Sequence, residues 1–92
     1  MAISGQKTVT TAGTAVQLGT QPIQGPLLVK ALDTNTGIVA VGNDGAGGVT
    51  VSNGLRLLKG ESVEFQWVGS LATLWLDSAV DGEGVSWISL QV

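Results

Sequence analysis

The chain has 92 residues, a length that fits one domain, and its four basic and seven acidic side chains leave a net charge of −3. It contains no histidine, cysteine or tyrosine, which excludes disulfides, disfavours a zinc site and removes most side chains that act as nucleophiles or proton shuttles near neutral pH. The few, scattered basic residues argue against nucleic-acid binding, and no segment resembles a signal peptide or a membrane span.

The predicted elements in the first half of the chain are short strands separated by Gly, Pro, Asn and Asp. Residues 1–5 show no strand pattern and are predicted to form a flexible tail. The predicted strands that follow are Gln6 to Thr11, Ala15 to Leu18, Leu27 to Leu32 and Ile38 to Val41. The last two are apolar on both faces, which predicts burial on both sides or at an interface.

The second half continues the same pattern. Val49 to Ser52 and Leu55 to Leu58 flank Asn53-Gly54, a dipeptide that favours a type I′ turn, so the two segments are predicted to form a hairpin. Three more predicted strands follow: Ser62 to Val68, Leu74 to Asp77 and Val85 to Val92. About eight short strands without a helix predict an all-β fold, either an antiparallel sandwich, a jelly roll or a small barrel. We favour a jelly-roll-like antiparallel β-sandwich that forms a single domain over residues 6–92.

The three tryptophans are assigned by the alternation of the strands in which they lie. Trp67 alternates with Val63 and Phe65 and is predicted to lie in the core. Trp75 lies opposite its leucine neighbours and is predicted to face outwards, whereas Trp87 fits either the core or an interface.

Acidic residues near turns raise the question of a metal site. Asn43-Asp44-Gly45 resembles part of a calcium loop but lacks the spacing and the final Glu of an EF-hand. Asp77, Asp81 and Glu83 form a second acidic group that has the oxygen ligands for calcium. Turn chemistry explains both groups more simply, so we predict no metal and no cofactor.

A glycosidase would need a pair of carboxylates. Glu61 with Glu64, or Asp81 with Glu83, are the pairs that the sequence offers. Neither pair comes with a sign of the deep cleft that raises the pKa of a catalytic acid. We therefore predict that the chain is not an enzyme.

Charged residues make up only 12% of the chain and hydrophobic residues 43%, against a typical charged share of about 25%. A surface so poor in charge favours contact with other copies or another protein, since charge is depleted at interface cores. A domain this small also buries only roughly 60 to 65% of its unfolded surface, which favours support from subunit contacts. The residues predicted to lie at an interface are Ile3, Leu28, Trp75, Trp87, Ile88 and Leu90.

Three segments resemble small all-β virion proteins of tailed bacteriophages, of the capsid cement or decoration kind. They are Asn35-Thr36-Gly37-Ile38-Val39-Ala40-Val41-Gly42-Asn43, Val49-Thr50-Val51-Ser52-Asn53-Gly54-Leu55 and Leu58-Lys59-Gly60-Glu61-Ser62-Val63-Glu64-Phe65. The opening Val9 to Val16 and the closing Asp81 to Ser86 fit the same pattern. No family site residue is carried over, because the pattern consists of turn and strand signals.

The resemblance implies a virion structural protein that is synthesised in the host cytoplasm and lies on the outer capsid surface. Its expected partners are the major capsid protein and other copies of itself, as a homotrimer, with no nucleic acid and no membrane. The alternative is a head-fibre or tail-associated module that binds a host glycan or another virion protein through exposed Trp75 or Trp87.

Overall fold

A computed structural model describes residues 3–23, 25–45, 47–66 and 68–89. Within these ranges the chain forms eight β-strands and one 3₁₀ turn, Leu71–Thr73, and no α-helix. The strands are β1 (Ile3–Thr8), β2 (Val16–Gln17), β3 (Leu27–Ala31), β4 (Val39–Gly42), β5 (Leu55–Leu57), β6 (Ser62–Phe65), β7 (Trp75–Ser78) and β8 (Gly84–Ser89). The all-β prediction is therefore confirmed for the described residues.

The strands form two four-stranded antiparallel sheets. The first sheet has the order β1-β8-β3-β6 and the second has the order β2-β7-β4-β5. Consecutive strands along the chain alternate between the sheets, except for β4 and β5, which are neighbours in the second sheet. The connections that follow odd-numbered strands therefore meet at one end of the molecule, and those that follow even-numbered strands meet at the other.

The core lies between the two sheets and arises from the alternation of the strands. In the first sheet, Val29 lies opposite Trp87 on one side and Val63 on the other, so one inward-facing row crosses three strands. In the second sheet, Leu76 and Val41 are paired and both are buried. The buried members of the core are Val9, Leu18, Ile23, Leu27, Val29, Ala31, Val39, Val41, Leu57, Leu71, Leu74, Leu76, Val85 and Trp87.

Part of the outer face of the second sheet, over Ala40 and Gly42, is covered by described residues of the chain's own 43–54 loop. Ala40 faces outwards yet is fully buried, because Gly54 of the loop lies directly against it. A Cβ added at Gly54 would be only 2.9 Å from the Ala40 Cβ. Val49 is also buried and lies over Gly42, where a Cβ would be 3.3 Å from its Cγ2. The prediction that the Ile38 to Val41 segment is apolar because both faces are buried is confirmed for Val39, Ala40 and Val41, and no partner is needed to bury them.

The predicted hairpin at Asn53-Gly54 is wrong. Residues 49–52 form no strand, residues 51–53 form a turn, and β5 pairs with β4. Neither Asn53 nor Gly54 has the positive φ that a type I′ turn requires. Asn53 instead accepts a hydrogen bond from the Thr50 backbone N–H through Oδ1 at 2.8 Å, a local side-chain to backbone bond that competes with strand pairing.

The predicted flexible tail is wrong for residues 3–5. Ile3 and Gly5 belong to β1, where they pair with Ser89 and Trp87 of β8. Gly5 fits there because it lacks a side chain: a Cβ would come within 3.0 Å of the Trp87 indole. The glycine therefore allows β1 to lie beside a large aromatic ring. Met1 and Ala2 lie outside the described residues.

Some predicted strands have different bounds in the structure. β1 lies three residues earlier than the predicted Gln6 to Thr11, and β6 ends at Phe65, before the predicted Val68. Trp67, predicted to lie in the core, and the end of the last predicted strand, residues 90–92, lie outside the described residues.

Candidate functional site

The end of the molecule that carries the connections 9–15, 32–38, 58–61 and 79–83 is named here the carboxylate end. Its acidic side chains accept hydrogen bonds from backbone groups of distant loops. Asp81 Oδ1 accepts from the Ala12 N–H at 2.7 Å, and Asp77 Oδ1 accepts from the Gly13 N–H at 2.9 Å. Two carboxylates on the β7–β8 side thus hold the loop between β1 and β2.

Glu83 holds the loop between β3 and β4 in the same way. Its Oε2 accepts from the Thr36 N–H and hydroxyl at 2.6 and 2.9 Å, and its Oε1 accepts from the Gly37 N–H at 2.9 Å. The hydrogen bonds from Gly37 and then Thr36 lower the pKa of Glu83 below 4.5, against a weaker opposing effect of burial. A carboxyl group that stays ionised near neutral pH does not serve as a proton donor.

Asn35 is, like Asp77, a buried member of this network, and the sequence analysis did not identify it. It is 2% exposed, donates from Nδ2 to the Gly84 carbonyl at 2.9 Å and accepts from the Gly84 N–H at 3.3 Å. The signal in the sequence was an asparagine two residues before Gly37, and both residue types are common in turns for local reasons. Its role is visible only in the folded structure, which brings Asn35 to Gly84 across 49 positions of the sequence.

These contacts explain the acidic residues that were considered as metal ligands or catalytic groups. Glu61 accepts from the Leu58 N–H at 2.7 Å at the start of β6, whereas Glu64 lies on the outer face of the first sheet. The described residues contain no group of three or more side chains placed to hold a metal ion. The acidic groups at this end act as backbone acceptors that position loops.

The opposite end, formed by loops 18–26, 43–54 and 66–74, is named here the charge-poor end. Asp44 is the single ionisable residue in the sequence of these three loops. An apolar cleft opens there between the sheets. Its described lining residues are Val41, Gly42, Asn43, Leu55, Phe65, Val68, Thr73 and Leu74. No acid or base lies among them, so the cleft suits apolar contact rather than proton transfer.

A second apolar surface lies on the outer face of the first sheet and is named here the Leu28–Ile88 patch. The two side chains are direct cross-strand neighbours on β3 and β8 and are 41% and 40% exposed. Glu64 flanks the pair beyond Leu28, and Ser4 flanks it beyond Ile88. An apolar pair with a polar rim is the composition of a small protein-contact surface.

The six predicted interface residues fall into different places. Leu28 and Ile88 are brought together, as an interface would require. Trp75 is half-buried on the outer side of the second sheet, in a row with Gln17 and Gly42.

Two of the other candidates contact the core of the chain, which for Trp87 is one of the two places predicted. Trp87 is 9% exposed and belongs to the core, because its strand position faces the second sheet. Ile3 is half-buried and packs against the core from β1. Leu90 lies outside the described residues.

Lys30 lies one rung from Leu28 on the same outer face and forms an ion pair with Asp33 at 3.5 Å. Both side chains are largely exposed, so this pair contributes little to stability. It leaves a cation beside the patch, which makes its rim polar on the β3 side as well.

In the part of the chain that the structure describes, no helix has the length and apolar character needed to cross a bilayer. Neither the fold nor the carboxylate network assigns a family by itself. No protein-family model, curated protein or solved structure matches the chain.

Proposed function

We propose that the chain is a structural protein of a tailed-bacteriophage virion, a cement or decoration protein that assembles on the outer capsid and supports contacts between capsomers. The observation that carries the proposal is the strand order, which supports a jelly roll. β1 pairs with β8, β2 with β7, β3 with β6 and β4 with β5. This is the pairing of one long antiparallel ribbon whose successive rungs alternate between two sheets. Jelly rolls of this kind occur in viral capsid and lectin domains.

The surface supports a role in assembly rather than in catalysis. The Leu28–Ile88 patch offers an exposed apolar pair, and the charge-poor end offers an apolar cleft without ionisable lining among the described residues. In this proposal one surface joins copies of the chain into a homotrimer and the other contacts the major capsid protein. A protein that binds only the assembled shell stabilises it by mass action, and the effect is repeated at every site.

The alternative function is a head-fibre or tail module that binds a host glycan. The observation that favours it is Trp75, which is half-buried on the outer side of the second sheet with the amide-bearing Gln17 as its neighbour on β2. Aromatic rings beside polar side chains form sugar-binding platforms, and lectin domains share the jelly-roll architecture. A glycan array separates this function from the first, because a cement protein should bind no sugar.

The test of the main proposal is binding to undecorated heads of the phage that encodes the chain. The parent should attach and raise the temperature at which the heads rupture. Leu28→Ser with Ile88→Ser should lose self-association in sedimentation equilibrium, attachment to the heads, or both, while remaining folded. Val80→Ser is the matched control, since Val80 is 39% exposed but lies at the carboxylate end, away from the patch.

Cryo-microscopy of the whole particle then locates the protein directly. A monomer at all micromolar concentrations that neither attaches to heads nor appears on the outer shell would contradict the proposal.

A further inference from the structure

The Asn53-Gly54 dipeptide has chemistry beyond its place in the loop. Among the asparagines of the chain, Asn53 is the one followed by glycine, and it is exposed. A following glycine has no Cβ to hinder the approach of its own nitrogen to the preceding side chain. We infer that Asn53 is a site of spontaneous deamidation and that the folded 43–54 loop holds this reaction in check.

The reaction requires only water and a solvent base. The Gly54 backbone N–H gives its proton to the base, and the nitrogen lone pair attacks Asn53 Cγ to form a cyclic imide. The bond from Cγ to the side-chain nitrogen breaks, and that nitrogen takes up a proton and leaves as ammonia. Water then adds to one of the two imide carbonyls and opens the ring to aspartate or isoaspartate.

The loop occupies each group that this reaction needs. The Gly54 N–H donates to the Thr50 carbonyl at 3.0 Å, which keeps its proton in place. Asn53 Nδ2 donates to the Gly48 carbonyl at 2.7 Å, and Oδ1 accepts from the Thr50 N–H at 2.8 Å. Turning the side chain towards the Gly54 nitrogen breaks both of its bonds, so ring closure requires the loop to open first.

The products do not fit the loop as asparagine does. An aspartate has no N–H to donate, so a carboxylate oxygen faces the Gly48 carbonyl and repels it. It also adds a second negative charge to the 43–54 loop, which already contains Asp44. An isoaspartate lengthens the backbone next to Gly54, which lies against Ala40 with no room to spare. Either product loosens the cover over the second sheet.

The experiment follows the conversion of Asn53 in the full chain, folded and in guanidinium, in the same mildly alkaline buffer. Peptide mapping by mass spectrometry measures the amide-to-acid conversion, and enzymatic methyl labelling detects isoaspartate. We expect Asn53 to convert ahead of Asn35 and Asn43 in the denatured chain. In the folded chain its conversion should be slower by about tenfold or more, the factor expected when a modest opening free energy must be supplied first.

Two glycine variants test the protective contacts. A Cβ at Gly48 would lie 2.5 Å from the Asp44 side chain and carbonyl, whereas a Cβ at Gly47 would meet no atom within 4 Å. Gly48→Ala should therefore move the carbonyl that binds Asn53 and speed deamidation in the folded protein, while Gly47→Ala should not. Both should match the parent in guanidinium.

Equal rates for the folded and denatured parent would overturn the protective role of the loop. Absence of conversion at Asn53 in the denatured chain would overturn the site itself. The comparison within the parent decides the proposal even if Gly48→Ala does not fold. The result does not depend on the capsid proposal, because no virion component is present in the assay.

Discussion

At the carboxylate end, side chains join loops that are far apart in sequence, whereas the 43–54 loop at the charge-poor end is bonded chiefly within itself. Asp77 and Gly13 are 64 positions apart and Asn35 and Gly84 are 49 apart, but Asn53 and Thr50 are separated by three. The first end therefore depends on charged and polar acceptors. The 43–54 loop depends on glycines that allow close contact and on the burial of Val49.

The difference shows how a chain with few charges uses them. Three of its seven acidic residues, Asp77, Asp81 and Glu83, accept backbone N–H groups of two loops at one end. Hydrogen bonds to ionised groups are stronger than neutral ones. The surfaces left free for contact are the ones with few charges.

The largest expected effect on stability is at Gly84, the first residue of β8, which directly follows the carboxylate end. A Cβ at Gly84 would overlap the Lys7 carbonyl and come within 2.6 Å of the Thr8 Cα, so Gly84→Ala must separate β1 from β8. We expect a loss of about 3 kcal/mol or more in the free energy of unfolding, measured by urea denaturation. Gly47→Ala, where space is open, is the control. Equal midpoints would show that β1 is not held against Gly84.

Asn35→Ala should cost about 2 kcal/mol, because it leaves the buried Gly84 N–H without its acceptor. Asn43→Ala changes an exposed asparagine at the other end and should stay within about 0.5 kcal/mol of the parent. Chemical denaturation of the two variants checks the comparison. If both variants lose the same free energy of unfolding, the buried contact between Asn35 and Gly84 contributes no more to stability than an exposed asparagine does.

Val49→Ala tests the cover over the second sheet. Val49 is 2% exposed, and removing two methyl groups should cost about 1.5 kcal/mol through lost burial and a small cavity. The loss should not change with pH, since no charge is involved. Val80→Ala, at an exposed valine, is the control. A loss no larger than that of the control would mean that residues 43–54 do not cover the sheet.

The smallest expected effect is the pH dependence of Glu83. Its folded pKa is lowered below 4.5, so its contribution is present above that pH and is lost as pH falls through the folded value. Glu83→Gln should flatten the acid decline of the melting temperature below about this pH. The effect should be small, because Glu83 is only half-buried and two of its three hydrogen bonds are exposed to water. Glu64→Gln is the control, and an identical acid decline in parent and Glu83→Gln would refute this role.

The sequence predicted the class of fold because strand alternation and turn residues are local signals. The runs at Leu27, Val39, Ser62 and Trp75 all became strands close to the predicted positions. The signals were weakest where two local preferences competed. At Asn53 the side chain forms hydrogen bonds within its own loop. At Gly5 a glycine is required inside a strand, because a side chain there would collide with the Trp87 indole.

Of the candidate interface, the sequence predicted the residue types but not their grouping. Leu28 and Ile88 were each candidates, yet their contact depends on β3 and β8 becoming neighbours across 60 positions of chain. Trp87 showed the same apolar character, and its direction followed only from the register of its strand. Short-range patterns do not encode register, because a shift by one residue exchanges the two faces.

The sequence by itself determined that this chain folds as β-strands, that it has no histidine, cysteine or tyrosine, and that it is poor in charged residues. The tertiary structure alone decided which strands pair, which apolar residues remain exposed, and that the acidic residues hold distant loops. The physical reason is that composition and alternation act over a few residues, whereas pairing and burial depend on groups that only the folded chain brings together.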